Sequence, residues 1–460
     1  MGLLGTAVQT PIVDLSSFGL YFGAEDNTTG TAFITSDGSG YAHVDYAQVG
    51  GTAIANTGAM VAPSTRITNL FPLTGVVSVN IRRGRQRPDQ YDDVGEMTVV
   101  VNNQGDSTLA GQSDPDNNTG RYKRLSTSGT AQVYSSFLQP GMWGRWTWGG
   151  AAGGSAVNMF TGVLESVVPT DDIWSQATYT FVDRMSVIGR TKIAAATIGM
   201  YGDTGAQRIN LILDNGGLPN VINYNGVTTI IYEQATQYSG SFRDVKGFAR
   251  RLQRQQTGDS ALDSVKQICD GEAGRVFANR DGVVCVYDRA NLASRAGTVV
   301  ATFSDTSGTS GFGYDEIQLN QAQDYIYNEA IITYGSAITT KATLDASIAQ
   351  YGERSIEKEV KLLEVGDQAA IAAFYATNWG LPKKAPVMVS LETVGFTAAD
   401  FSTIAAIDLG QSVRVIRQQP GGRTFDGTAV VEGIEVDLTP ESRRFTFYLS
   451  ATDQTTITWP

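Results

Sequence analysis

The residues best suited to catalysis are few in this sequence and far apart. His43 is the single histidine, so a Ser-His-Asp triad would have to use it, and no site with two histidine ligands can form. It stands in a stretch without recognisable catalytic partners, which favours a packing or surface role. Cys269 and Cys285 are the two cysteines. Both are expected to be buried free thiols, and whether they touch stays open.

Two groups of carboxylates could serve acid-base or metal chemistry. Glu435 and Asp437 alternate along a predicted strand. Paired carboxylates can hydrolyse glycosides, but alternation along an exposed strand face produces the same pattern. A loop from Asp114 to Gly120 begins like a calcium-binding loop, yet Leu125 stands at the twelfth position, where such a loop needs glutamate. A polar turn is favoured there. The sequence therefore predicts no catalytic, cofactor-binding or metal-binding residue.

Aromatic and glycine patterns do not define a ligand site either. Trp143, Trp146 and Trp148 cluster in one predicted strand, where residues two apart share a face. A carbohydrate platform or a partner anchor could use such a cluster, but core packing of the aromatic rings is favoured. The sequence has no dinucleotide fingerprint after a strand and no GK[ST] phosphate loop.

The elements that would position these residues belong to a long, acidic chain. It has 460 residues, a formal net charge of −12 and a calculated pI of 4.7. A chain of this length can bury a core without disulfides or metals. The acidic balance argues against a duplex-DNA binder with a basic stripe and against stable association with anionic membranes. Only 17% of residues are charged and 51 are glycine, which favours a β-rich chain with many turns.

Hydrophobic alternation predicts two strand-rich blocks. The first contains predicted strands at residues 76–81, 97–101, 143–148, 159–164 and 177–183. The second contains predicted strands at residues 331–334, 387–393, 412–416, 428–436 and 444–449. One helix is predicted to interrupt the second block, with Asp367 as its N-cap and Trp379 near its end.

The region between the blocks carries helix signals. One helix is predicted to follow the capping pair Asp203 and Thr204. A second is predicted to begin after Ser260, because an acidic residue three positions later resembles a capping box. Its buried stripe is predicted at Leu262, Val265, Ile268 and Cys269. A β-hairpin is predicted at residues 276–286.

The fold class predicted is mainly β with an α+β middle. Four parts are expected: an N-terminal arm at residues 1–65, a first β domain at 66–190, a helix-bearing middle at 191–315 and a second β domain at 316–460. The glycine-rich residues 1–65 could form an extended arm with short strands or a small β subdomain. From spacing alone, the first block could be a small barrel or a sandwich.

Several motifs follow one another in a recognisable order. They are Arg82-Arg83-Gly84-Arg85, Phe160-Thr161-Gly162-Val163, Gly202-Asp203-Thr204-Gly205, Gly271-Glu272-Ala273-Gly274-Arg275, Asn279-Arg280-Asp281-Gly282, Leu409-Gly410-Gln411-Ser412-Val413 and Val431-Glu432-Gly433-Ile434. In this order and spacing the chain resembles the tail-tip baseplate hub, or minor tail, proteins of long-tailed, siphovirus-like bacteriophages. The resemblance covers about residues 66–455 and leaves residues 1–65 outside.

The resemblance implies a structural role without enzymatic activity or cofactor. Two tube-forming β-barrel domains would flank the middle domain, and a homotrimeric ring would continue and close the tail tube. The implied partners are the distal tail protein ring, the tape measure protein and tail fibre or spike proteins. DNA would only pass through during ejection, without specific binding. The implied location is the virion tail tip, after assembly in the host cytoplasm. A hexameric distal-tail ring protein, a receptor-binding module and a sugar-cleaving tail protein remain alternatives.

Overall fold

The structure is a computed structural model. It describes residues 18–25, 32–33, 35–36, 42–43, 76–102, 126–128, 131–133, 143–148, 157–169, 176–193, 202–215, 222–224, 227–229, 243–253, 260–305, 311–320, 326–334, 337–383, 385–418, 424–452 and 457–460. For the strands before residue 76 and for those between residues 126 and 148, only the backbone is described.

Strands dominate the described residues, and seven helices lie between them. The strands of the first block are β1 (Phe18–Glu25), β2 (Ala32–Phe33), β3 (Thr35–Ser36), β4 (Ala42–His43), β5 (Val76–Gly84), β6 (Asp93–Asn102), β7 (Ser126–Ser128), β8 (Ala131–Val133), β9 (Trp143–Trp148), β10 (Val157–Pro169) and β11 (Gln176–Val182). Those of the middle are β12 (Ile222–Tyr224), β13 (Val227–Thr229), β14 (Arg243–Lys246), β15 (Arg275–Ala278) and β16 (Val284–Tyr287). The later ones are β17 (Val299–Ser304), β18 (Glu316–Asn320), β19 (Glu329–Tyr334), β20 (Ala337–Thr343), β21 (Ser355–Glu359), β22 (Ala385–Glu392), β23 (Ser412–Gln418), β24 (Thr424–Leu438) and β25 (Arg443–Ala451). The helices are α1 (Arg184–Arg190), α2 (Gly205–Asn215), α3 (Ala261–Asp270), α4 (Arg289–Ala296), α5 (Asp345–Tyr351), α6 (Val365–Trp379) and α7 (Ala398–Ala405).

One sheet of thirteen described strands joins the two strand-rich blocks. The joint is β24, which pairs with β25 along one edge. Along its other edge it pairs with β23 over its first half and with β5 over its second half. None of the described sheets closes into a barrel. The mainly β class is therefore confirmed, while the two barrels and the division at residues 65, 190 and 315 stay predictions.

Strand alternation explains why the joined sheet has one buried face. In β5, Val79 and Ile81 are buried, while Arg82, which directly follows Ile81, is exposed. In β25, Phe445 and Phe447 lie on the buried face with exposures of 2% and 0%. Burying one such aromatic side chain contributes about 1.5–3 kcal/mol. The alternating residues thus provide the driving force that holds the blocks together.

The hairpin β15–β16 separates two hydrophobic cores. Phe277 and Cys285 face the core of the large sheet. Val284 and Val286 face a second core, built by α1, α2, α3 and α6 with strands β19 and β21. Because successive strand residues point to opposite faces, a four-residue strand that is buried throughout can serve both cores. The hairpin predicted at residues 276–286 is confirmed.

The two middle helices form where their caps predict. Thr204 Oγ1 accepts a hydrogen bond from the Gln207 amide before α2, and Ser260 accepts one from the Asp263 amide before α3. The predicted stripe of α3 is buried. The N-cap assignment of Asp367 is wrong: α6 begins at Val365, with Glu364 as its N-cap. Asp367 lies in the first turn of α6 and faces Arg250 at 3.5 Å.

The prediction of a single helix in the second block is also wrong. Helices α5 and α7 lie there too, and α1 and α4 were not predicted. Helices of seven or eight residues have too few turns for a clear apolar period. Three of the four nevertheless carry a side-chain cap, at Asp183, Asp288 and Thr397. The capping residue is the signal that would have located them.

Candidate functional site

Charged side chains stand where strand alternation places core residues. Arg83 follows Ile81 on the buried face of β5 and is 4% exposed. Arg275 shares the face of β15 that carries Phe277 and is 3% exposed. A buried charge is costly unless it is paired and hydrogen-bonded. These positions therefore require partners from elsewhere in the fold.

Arg275 is the centre of a buried ion network. Its Nε and Nη2 donate to the two carboxylate oxygens of Asp92 at 2.7 and 2.6 Å. Its Nη1 lies 3.2 Å from Glu432 Oε2, and Nη2 also donates to the Glu432 carbonyl oxygen at 2.6 Å. Burial alone would lower the pKa of Arg275, but Asp92 and Glu432 outweigh it and raise this pKa. One arginine of the middle thus binds both strand-rich blocks.

Glu432 reaches the network because β24 contains a bulge. The register against β25 shifts between Val431 and Gly433, so Glu432 is the extra residue. Its carboxylate accepts from Arg85 Nε at 2.8 Å and from Ser450 Oγ at 2.6 Å. Burial alone would raise the pKa of Glu432, but the charges of Arg85 and Arg275 hold it at about 2. The carboxylate is therefore ionised at neutral pH.

A second buried pair anchors the tip of the hairpin. Arg83 Nη1 donates to Asp408 Oδ1 at 2.7 Å, and the Arg280 amide donates to Asp408 Oδ2 at 3.3 Å. Burial alone would raise the pKa of Asp408, but Arg83 and Arg280 outweigh it and lower this pKa. The turn between β15 and β16 is thereby bound to both β5 and the segment before β23.

Two glycines allow the backbones of β5 and β24 to approach closely beside the network. Gly84 pairs with Gly433 and has φ +79°, a conformation that glycine adopts readily. A Cβ on Gly84 would lie 2.3 Å from the Glu432 carbonyl oxygen, and one on Gly433 would lie 2.5 Å from the Arg85 carbonyl oxygen. The predicted motifs at 82–85 and 431–434 are therefore the two halves of one joint.

The loop between β5 and β6 also binds the helical core. The Tyr91 hydroxyl donates to Asp270 at the end of α3, and Lys358 Nζ of β21 lies 3.1 Å from the same carboxylate. Lys266 and Lys358 lie over the Tyr91 ring at 5.1 and 4.7 Å. Tyr327 donates to Asp89 at 2.8 Å. The loop therefore fastens the strand blocks to the middle.

Glu272, next to this network, should make stability depend on pH. Burial raises its pKa from 4.5 to about 7, so the folded protein keeps a proton that the unfolded chain loses above pH 4.5. The free energy of unfolding should then fall from pH 4.5 to 7, by at most about 1.4 kcal/mol per pH unit for each such group. Burial raises the pKa of Asp183 to about 7 as well. Denaturant titrations should show that Glu272→Gln, which keeps an acceptor for the Arg250 amide, makes this slope less steep, by at most about 1.4 kcal/mol per pH unit.

The matched control for this prediction is the exposed residue Glu441. Glu441→Gln should leave the slope between pH 4.5 and 7 as in the parent protein. An unchanged slope in the Glu272→Gln variant would contradict the proton assignment.

The predicted carboxylate pair lies on the polar face of the joined sheet. Glu435 and Asp437 alternate with buried residues of β24, as the strand-face interpretation expects. Glu435 accepts from the Tyr448 hydroxyl at 2.9 Å, and Asp437 accepts from Asn80 Nδ2 at 2.5 Å. Each carboxylate has its own hydrogen-bond partner on the sheet. The arrangement stabilises cross-strand pairing.

The remaining sequence candidates divide into buried and undescribed residues. Cys269 and Cys285 are buried free thiols, as predicted, and they face different cores. His43 ends the short strand β4, and the tryptophans at 143, 146 and 148 lie in β9; their side chains are outside the described residues. The loop from Asp114 to Gly120 is outside them as well. The tryptophan and calcium-loop interpretations stay predictions.

Sequence reasoning did not assign a role to Asp92, Arg275 or Glu432. The available signal was a charged residue in phase with core residues, as at Arg83 and Arg275. A second signal was a break in the two-residue alternation of β24, where Val431 and Ile434 are both buried although they are three positions apart.

Among the described residues there is no group of three or more His, Cys, Asp or Glu side chains placed to hold a metal ion. None of the described helices has the length and apolar character required to cross a bilayer.

The fold is shared with known tail proteins. No protein-family model and no curated protein matches the chain. The 43 kDa tail protein of prophage MuSo2 from Shewanella oneidensis matches with a TM-score of 0.50 and 11% identity, over 84% of this chain and 96% of that chain. A tail protein from Neisseria meningitidis MC58 matches with a TM-score of 0.50 and 11% identity, over 82% of this chain and 92% of that chain. The chain therefore has the same fold as these two proteins.

Proposed function

We propose that this protein is a structural component of a bacteriophage tail and forms the hub at the tail tip. The observation that carries the proposal is the fold shared with two tail proteins over more than 80% of the chain. The order of the sequence motifs supports the hub among tail proteins. The protein acts by assembly, and neither catalysis nor a cofactor is part of the proposal.

The joined sheet supports a role in lining a passage. A tube wall needs a broad sheet with one face packed on a core and the other suited to its contents. Among the described side chains of the joined sheet that are exposed or half-buried, carboxylates outnumber arginines by eight to five. The carboxylates are Asp93, Glu96, Glu165, Glu316, Glu392, Asp426, Glu435 and Asp437, and the arginines are Arg82, Arg414, Arg417, Arg443 and Arg444. A surface with excess negative charge repels phosphates, so DNA would pass without being held.

The proposed assembly is a homotrimeric ring in which each subunit contributes two tube-forming barrel domains. Its proposed partners are the distal tail protein ring, the tape measure protein and tail fibre or spike proteins. The ring continues and closes the tail tube, and it opens when DNA is ejected. The proposed location is the virion tail tip, after assembly in the host cytoplasm. The ion network would keep the two strand blocks of a subunit in a fixed orientation, which a closed ring requires.

Light scattering of the purified protein, with negative-stain images of the same sample, tests the assembly. One chain has a mass of 49.2 kDa, so three copies give 147.6 kDa. We expect this mass and a ring with an open centre. A ring of six copies would replace the hub by the distal-tail ring protein. A monomer that stays monomeric when mixed with the tape measure and distal tail proteins of its own phage would contradict the proposal.

A further inference from the structure

Residues 457–460 leave the large sheet and pack on the helical core. The chain follows β25 up to Ala451, and the buried face of that strand belongs to the core of the large sheet. Ile457 is 8% exposed and belongs to the other core, which α1, α2, α3 and α6 build, and Trp459 packs against that core. Residues 457–460 therefore connect the sheet to the helical core by a route separate from the ion network.

Trp459 and Pro460 contact a small area at the beginning of α6. The Arg250 guanidinium lies over the Trp459 ring, 4.5 Å from its centre. Arg250 Nη1 also lies 3.5 Å from Asp367 Oδ1 in the first turn of α6. Pro460 lies against Gly366, where an added Cβ would come within 3.2 Å of Pro460 Cγ. Trp459 thus packs on the ion pair that joins Arg250 to α6.

No ladder of backbone hydrogen bonds holds residues 457–460 in place. They belong to no helix or strand, and within the part of the chain that the structure describes no hydrogen bond reaches them. Burying one isoleucine and part of one tryptophan gives a gain of the same order as the conformational entropy lost when four residues are ordered. The contact between Arg250 and the ring adds a small further gain. Segments held by so few interactions open locally while the rest of the protein stays folded.

We propose that residues 457–460 are a strap that closes reversibly over the helical core. Opening releases Ile457 and Trp459 together, uncovers the apolar surface beneath them and exposes the pair of Arg250 and Asp367 to water. The large sheet and the ion network around Arg275 stay intact, because neither includes a residue of the strap. The inference is based on the packing and hydrogen bonding of the strap. It is independent of the tail assignment, so either can fail without the other.

Labelling of an introduced cysteine measures the opening. Ile457→Cys places a thiol under the strap, and Thr458→Cys places one at an exposed position of the same segment. Cys269 and Cys285 are buried free thiols, so their slow reaction reports that each variant is folded. We expect Ile457→Cys to react about 10- to 1,000-fold more slowly than Thr458→Cys, because minor conformations are commonly populated at about 0.1–10%. The rate should stay constant at low urea concentrations, because local opening exposes little surface.

Two outcomes of the labelling would overturn the proposal. If the thiol at position 457 reacts only as slowly as Cys269 and Cys285, with the same dependence on urea, the segment leaves the core only when the whole protein unfolds. If it reacts as fast as the thiol at position 458, the segment is not bound to the core. A rate between these limits that does not depend on urea supports a strap that opens by itself.

Substitutions of Trp459 in the Ile457→Cys background test whether the ring holds the strap closed. Trp459→Ala removes the ring beneath Arg250 and should raise the labelling rate at least about fivefold, the ratio that a modest cation–π contact supplies. Trp459→Phe keeps an aromatic face for the guanidinium and should raise the rate less. Glu441→Gln, at an exposed position outside the strap, should leave the rate unchanged. If Trp459→Ala behaves like this control, the ring does not hold the segment and the proposal is wrong.

Discussion

Replacing Arg275 with methionine should lower the free energy of unfolding by about 3–5 kcal/mol, because it leaves buried carboxylates without their counter-charge. Arg275 holds Asp92 through two hydrogen bonds and contacts Glu432, and all three side chains are almost fully buried. Methionine retains most of the apolar stem, so the loss reflects the charge rather than a large cavity. Denaturant unfolding monitored by tryptophan fluorescence measures the change.

The control for this variant is an ion pair at the surface. Arg414 binds Asp426 through two hydrogen bonds, with both side chains nearly half exposed. Exposed pairs contribute little, so Arg414→Met should leave the unfolding midpoint close to that of the parent protein. Similar losses for the two methionine variants would show that the buried network does not have the predicted importance.

A double variant separates the charge from the other contacts of Arg275. Asp92→Leu combined with Arg275→Met removes both charges of the central pair. Replacing a buried pair by apolar residues is often close to neutral, so the double variant should be more stable than Arg275→Met alone. Additive losses would mean that Asp92 and Arg275 do not act as a pair.

Replacing Gly84 with alanine should disrupt the joint between β5 and β24. The new Cβ would lie 2.3 Å from the Glu432 carbonyl oxygen and 2.7 Å from Leu409 Cδ2. The same carbonyl oxygen accepts hydrogen bonds from the Arg85 amide and from Arg275, so it cannot move without breaking them. We expect a loss of about 2–6 kcal/mol, from the positive-φ conformation and the overlap together, measured by denaturant unfolding.

Gly352 isolates the steric part of this effect. Its φ is +78°, nearly that of Gly84, and a Cβ there would meet nothing within 4 Å. Gly352→Ala should therefore lose only the conformational part, about 1–3 kcal/mol, because φ +78° with ψ 166° is a conformation essentially restricted to glycine. If Gly84→Ala is no worse than Gly352→Ala, the close approach of the two strands is not a constraint.

Local elements could be predicted because their signals lie within a few residues. The cap at Ser260, the apolar stripe of α3 and the turn of the β15–β16 hairpin all lie inside short windows. The same reasoning failed at Asp367: the helix begins two residues earlier, at Val365, after an N-cap, Glu364, whose side chain makes no capping hydrogen bond. It also missed α7, although Thr397 accepts from the Asp400 amide as Ser260 does from Asp263.

The sequence by itself determined the β-rich class, the helix-bearing middle and the buried state of both cysteines, because composition, periodicity and caps act over short distances along the chain. Only the tertiary structure decided that β24 joins the two strand blocks and that Arg275 holds Asp92 and Glu432. Asp92 and Arg275 are 183 positions apart in the chain, and Arg85 and Glu432 are 347 positions apart. A pairing across such distances depends on the fold that brings the residues together and leaves little trace in either local sequence.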